Sequence, residues 1–191
     1  MVLKKHLILT GFMGTGKTSV AKILSRRLGV DMIDTDEEIV RKTGKTIPEI
    51  FAMPLHLAGG EKGFRDIESD VIKEVTARRP YAVISAGGGA VLRRENREAF
   101  RNNGIIINLR ASPRTIYERL GSSADESRKR PLLSDYYGKN KDDLDSAAYN
   151  RIKELLDQRA EFYADCDFSV DTDNLSPEEA ADFIIKKISS L

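Results

Sequence analysis

HLILTGFMGTGKT, running from His6 to Thr18, joins a short apolar run to a glycine-rich turn that ends in lysine and threonine. His6 to Thr10 reads as a buried strand, because a continuous apolar run of this length closed by Gly11 has no polar face to give to water. Thr18 to Leu28 reads as a helix with Val20, Ala21, Ile23, Leu24 and Leu28 apolar, and Gly29 placed to cap its end. Between the two, Gly11, Gly16, Lys17 and Thr18 keep the spacing of a P-loop: glycine, four residues, glycine, lysine, then serine or threonine. Glycines permit the backbone angles that turn several N–H groups toward one anion, and the following helix offers its positive end to the same place. Gly14, Thr15, Gly16, Lys17, Thr18 and Ser19 are therefore candidates to cradle the phosphates of a nucleoside triphosphate. Lys17 would reach the β- and γ-phosphates, and the Thr18 hydroxyl would serve Mg2+.

Outward from this stretch, short apolar runs alternate with amphipathic ones. Val30 to Ile33, Tyr81 to Ser85, Ile105 to Leu109 and Phe168 to Val170 read as four further strands. Helices are expected over Phe64 to Arg78, Glu95 to Asn102 and Asp142 to Tyr163, and after the capping signals at Thr46, Ser112-Pro113 and Ser176. This alternation predicts an α/β fold with a mainly parallel sheet, whose ligands bind beyond the carboxyl ends of the strands.

The chemistry-bearing residues fall at those ends. Asp34-Thr35-Asp36 follows the second strand, and alternation along an extended segment would aim both carboxylates at one site. Arg65 is expected at the start of a helix, where the helix terminus also attracts anions. Gly87-Gly88-Gly89 closes the third strand and lets a ligand come near the backbone. Ser85 stands where many P-loop proteins end this strand in aspartate, which leaves Asp34 as the carboxylate for the metal. A long polar loop contains Arg128-Lys129-Arg130-Pro131 and reads as a lid.

Composition narrows the classes. The chain has 191 residues, 40% hydrophobic, with 31 basic against 30 acidic side chains, so the net charge is +1. That length suits a single domain, and the balance gives no footprint for nucleic acid. One cysteine, Cys166, excludes an internal disulfide. The apolar start is too short for a signal peptide or a membrane span, so a cytoplasmic protein without membrane partners is expected. His6 and His56 fit no metal-ligand spacing.

GFMGTGKT, Asp34-Thr35-Asp36, GEKGFRDIE from Gly60, GGGA from Gly87, RPLL from Arg130, Arg159, and Val170 to Pro177 occur in an order that resembles the shikimate kinase family over nearly the whole chain. The resemblance implies a P-loop three-layer α/β/α fold whose five-stranded parallel sheet has the order 2-3-1-4-5. It implies a single domain over 1–191, with a shikimate-binding subdomain near 34–64 and a lid near 122–139. It implies ATP-dependent phosphorylation of the shikimate 3-hydroxyl with ATP and Mg2+, by a monomer. Lys17, Asp36 and Arg130 would be catalytic. Asp36, Arg65, Gly87, Gly88, Gly89 and Arg159 would bind shikimate, with the two arginines on its carboxylate. Arg119, Arg130 and Pro177 would join the P-loop residues on the nucleotide, and Thr18 with Asp34, through water, would hold the metal.

There are departures from the family pattern. Met53 to Gly59 is a few residues longer than usual, the proline usual after Arg159 is absent, and the lid segment is long. Two other readings stay open on the residues alone: a different small-molecule P-loop kinase, such as a gluconate kinase, or a nucleotide-binding relative without catalysis.

Overall fold

A computed structural model describes residues 3–54, 57, 59–121 and 147–190. Five strands form one parallel sheet: β1 (His6–Thr10), β2 (Met32–Asp34), β3 (Val83–Ser85), β4 (Gly104–Arg110) and β5 (Phe168–Asp171), in the spatial order β2-β3-β1-β4-β5. This is the expected order. The helices are α1 (Lys17–Leu28), α2 (Thr35–Thr43), α3 (Ile47–Ala52), α4 (Gly60–Ala77), α5 (Arg94–Asn103), α6 (Pro113–Gly121), α7 (Ala147–Ala164) and α8 (Pro177–Ile188), with a 3-10 turn at Ala90–Leu92.

Central β1 is buried on both sides, and its alternate residues feed two cores. Leu7 and Leu9, with Val83, Ile107 and Leu109, pack under Val20, Ala21 and Leu24 of α1 and Ala181 and Ile184 of α8. Ile8, with Ile84 and Ile106, faces the other way, toward Ile72 and Val75 of α4 and Phe100 of α5. The result is helix, sheet, helix in three layers. Phe12 and Met13 of the P-loop anchor a third cluster with Ile116 and Leu120 of α6 and Ile152 and Leu155 of α7.

Several element boundaries differ by a residue or more from the sequence reading, and two of them bear on the site. α2 begins at Thr35 because the Asp34 side chain caps it, accepting the Asp36 N–H at 3.0 Å. Asp36 thus lies in a first helical turn, and strand alternation does not set its direction. α4 begins at Gly60, so Arg65 sits in its second turn and not at its positive end. The carboxyl ends are held in register, with Asp34 beside Ser85 and Leu9 beside Ser85 on the other flank.

Candidate active site

The P-loop leaves β1 at Gly11, whose φ of 136° favours glycine; a Cβ there would lie 2.1 Å from the Leu109 carbonyl oxygen. Gly14 and Gly16 also have positive φ, 80° and 90°. The turn is closed by Thr15, whose hydroxyl donates to the Phe12 carbonyl at 2.8 Å. Lys17 opens α1 and is buried, its Nζ donating to the carbonyls of Gly11 and Phe12 at 2.9 Å each. Ser19, two residues on, is exposed.

Next to Lys17, the Thr18 hydroxyl donates to Asp34 Oδ2 at 3.0 Å and lies 3.3 Å from the Ser85 hydroxyl. Two hard oxygen donors, those of Thr18 and Asp34, thus meet at the mouth of the P-loop. On the far side, Arg119 of α6 reaches back to the Gly14 carbonyl at 3.3 Å and to the Thr172 carbonyl at 2.5 Å. Thr172 in turn donates to the Thr15 carbonyl at 3.2 Å, fastening the loop to the end of β5, from which the chain runs to Pro177 at the first position of α8.

The glycine triplet stands between this cradle and a buried cluster of charge. A Cβ on Gly88 would lie 3.2 Å from the Met13 nitrogen of the P-loop. On Gly87 it would lie 2.7 Å from Asp36 Oδ1 and 2.9 Å from Glu68 Oε1, and on Gly89 it would lie 2.3 Å from both terminal nitrogens of Arg65. Only glycine lets the turn approach these groups. Arg65 is buried and donates to Glu68 Oε2 at 2.7 Å and to Glu61 at 3.4 Å. Burial pushes the Glu68 carboxyl above its ordinary value, with the Arg65 charge opposing. Arg159 of α7 is also buried, its guanidinium 5.6 Å from the centre of the Phe12 ring.

The structure thus brings together Lys17, Thr18, Asp34, Asp36, Arg65, Gly87, Gly88, Gly89 and Arg159 around the P-loop. Arg130 and the segment 122–139 lie outside the described residues. Three groups went unread in the sequence. Thr35, fully buried, accepts the Gly87 N–H at 2.9 Å. Glu68 sits three residues after Arg65, and Tyr163 four after Arg159. Those helical spacings put each on its arginine's face, the one sequence signal that could have marked them.

A P-loop opening the first helix of a parallel 2-3-1-4-5 sheet, with buried Arg159 beside its Phe12 and buried Arg65 across a glycine turn, defines a kinase of the P-loop class. A family model described as shikimate kinase matches residues 13–189, and the shikimate kinase of Thermodesulfovibrio yellowstonii is 44% identical over 98% of this chain and 96% of its own length. The chain belongs to the shikimate kinase family. Among solved structures, a shikimate kinase from Acinetobacter baumannii in complex with shikimate has a TM-score of 0.82 at 32% identity, covering 97% of this chain and 93% of that one. The shikimate kinase of Aquifex aeolicus has a TM-score of 0.73 at 28% identity, with 97% and 96% covered.

Proposed function

We infer that the chain transfers the γ-phosphoryl group of ATP to the 3-hydroxyl of shikimate. The observation that carries this reading is a glycine turn that lies against buried Arg65, Asp36 and the P-loop, with buried Arg159 standing beside Phe12 of that loop. Two buried guanidiniums suit a carboxylate, and a neighbouring carboxylate suits the hydroxyls of a polyol. Among the described residues, no helix is long and apolar enough to cross a membrane. A monomer in the cytoplasm fits this reading.

Arg65, Arg159 and the backbone of Gly87 to Gly89 hold the acceptor. Asp36 orients the attacking hydroxyl and takes its proton as the new O–P bond forms and the bond to the β-phosphate oxygen breaks. Lys17 turns its ammonium to the phosphates, which the P-loop amides surround, and Arg130 adds a second cation. Thr18 and Asp34 fit Mg2+, which prefers oxygen donors and keeps several waters. When bound, the ion neutralises charge on the phosphates. The subdomain near 34–64 and the lid near 122–139 serve the acceptor and the exclusion of water.

The test is ADP release with ATP and Mg2+, with and without shikimate, beside gluconate and AMP. Strong stimulation by shikimate alone is expected. Stimulation by gluconate or AMP in its place would assign a different acceptor.

A further inference from the structure

Three successive glycines have no side chains to hold them, so a turn built from them keeps its shape only through bonds to its backbone. Here the protein engages most of that backbone. The Gly87 N–H donates to Thr35 Oγ1 at 2.9 Å, and the carbonyls of Gly87 and Gly89 accept the N–H groups of Ala90 and Leu92, each at 3.0 Å. The Gly88 carbonyl is taken by the hydroxyl of Tyr163, at 2.5 Å.

That last bond is long-range and protected. Tyr163 is buried on α7, four residues after Arg159, and burial pushes its phenol up to about 12, so the hydroxyl stays protonated and is the donor. A peptide group is planar and trans, with its C=O and N–H pointing opposite ways. Fixing the Gly88 carbonyl toward Tyr163 therefore aims the Gly89 N–H away from α7. Among the described residues, the N–H groups of Gly88 and Gly89 meet no protein acceptor. Gly89 also rests directly on the Arg65 guanidinium.

We propose that Tyr163 is a positioning residue for the acceptor. Its hydroxyl sets the Gly88–Gly89 peptide so that the Gly89 N–H and the Arg65 guanidinium form one preorganised surface for the acceptor's carboxylate. It acts through the turn and does not touch the phosphates. Because Tyr163 and Arg159 share one face of α7, the same helix places one arginine of the clamp and locks the turn that rests on the other, Arg65 of α4. This proposal rests on shikimate being the acceptor.

Tyr163→Phe tests it, since the ring keeps its packing and only the hydroxyl is lost. The measurements are calorimetric affinities for shikimate and for ADP with Mg2+, and the two Michaelis constants. The loss of one buried hydrogen bond predicts shikimate affinity weakened and its KM raised about fivefold to tenfold, with ADP affinity and ATP KM within about twofold. Unchanged shikimate affinity, or equal losses for both ligands, would overturn it, because a packing role alone moves both or neither. If the parent protein shows no shikimate-stimulated ADP release, the acceptor assignment fails, and this proposal with it. Normal stimulation with an unaltered shikimate KM in the variant defeats the positioning role alone.

Discussion

Arg65 and Glu68 stand one turn apart on α4 and share a buried ion pair, Nη1 to Oε2 at 2.7 Å. Neither charge is cheap to bury, and each makes the other tolerable. Glu68 Oε1 has no hydrogen-bond partner among the described residues and looks toward Gly87. Truncating Glu68 to alanine leaves Arg65 a buried charge without its main counter-ion. Glu68→Ala should lose about 3–5 kcal/mol in urea unfolding. Glu68→Gln, which keeps an acceptor oxygen, should lose less. Parent-like stability in Glu68→Ala would show that Glu61 alone suffices to hold Arg65.

Asp36 is tied to the first turn of α2 and approaches the glycine turn through Oδ1. Asparagine there preserves size and removes the base. Asp36→Asn should lower turnover with shikimate by about 10²–10⁴-fold, the usual worth of general acid–base help, with ATP KM little changed. Steady-state kinetics in both substrates separates the two. Near-normal turnover would remove Asp36 from proton transfer.

The P-loop and the sheet core were readable because both are local signals: an apolar run, then fixed glycine and lysine spacing. The site's finer geometry was not. Gly59, Gly60 and Gly63 lower helix propensity, so the sequence pattern starts α4 only at Phe64 and sets Arg65 one turn too near the helix end. The sequence puts Asp34 to Asp36 in an extended segment after the second strand, yet Asp34 ends β2, its carboxylate caps α2 and turns the chain, and Thr35 is buried against Gly87. Tyr163 bonds a carbonyl 75 residues away, and no local pattern marks such a partner. The strand order 2-3-1-4-5 came from family resemblance, since pairing between distant strands leaves little trace in a single chain.

Asp34 divides its two oxygens between tasks, Oδ1 capping α2 at the Asp36 N–H and Oδ2 accepting from the Thr18 hydroxyl, both at 3.0 Å. Asparagine caps a helix about as well as aspartate but carries no charge. Asp34→Asn should therefore melt close to the parent protein. The Mg2+ concentration for half-maximal activity should rise about 10–100-fold, as for loss of an outer-sphere metal partner. A magnesium titration at saturating ATP and shikimate gives the answer. An unshifted midpoint would place the metal's carboxylate elsewhere.

His6 lies fully buried at the start of β1, where Nδ1 accepts the Ala82 N–H at 3.0 Å and Nε2 faces the Arg78 carbonyl at 3.2 Å. That pairing fixes a neutral ring with its proton on Nε2. A second proton would set donor against donor. Burial lowers its pKa below the ordinary 6.5, and the neighbouring Arg79 charge acts the same way. With the folded value depressed, the unfolded chain takes up the proton first as the pH falls. Stability is therefore full above the ordinary value and declines below it, by up to about 1.4 kcal/mol per pH unit until the folded pKa is reached. Urea unfolding from about pH 8 down to about pH 5 should show that decline. His6→Asn supplies an oxygen near the Nδ1 position and does not titrate, so this part of the pH dependence should flatten. An unchanged slope in the variant would assign the titration to another group.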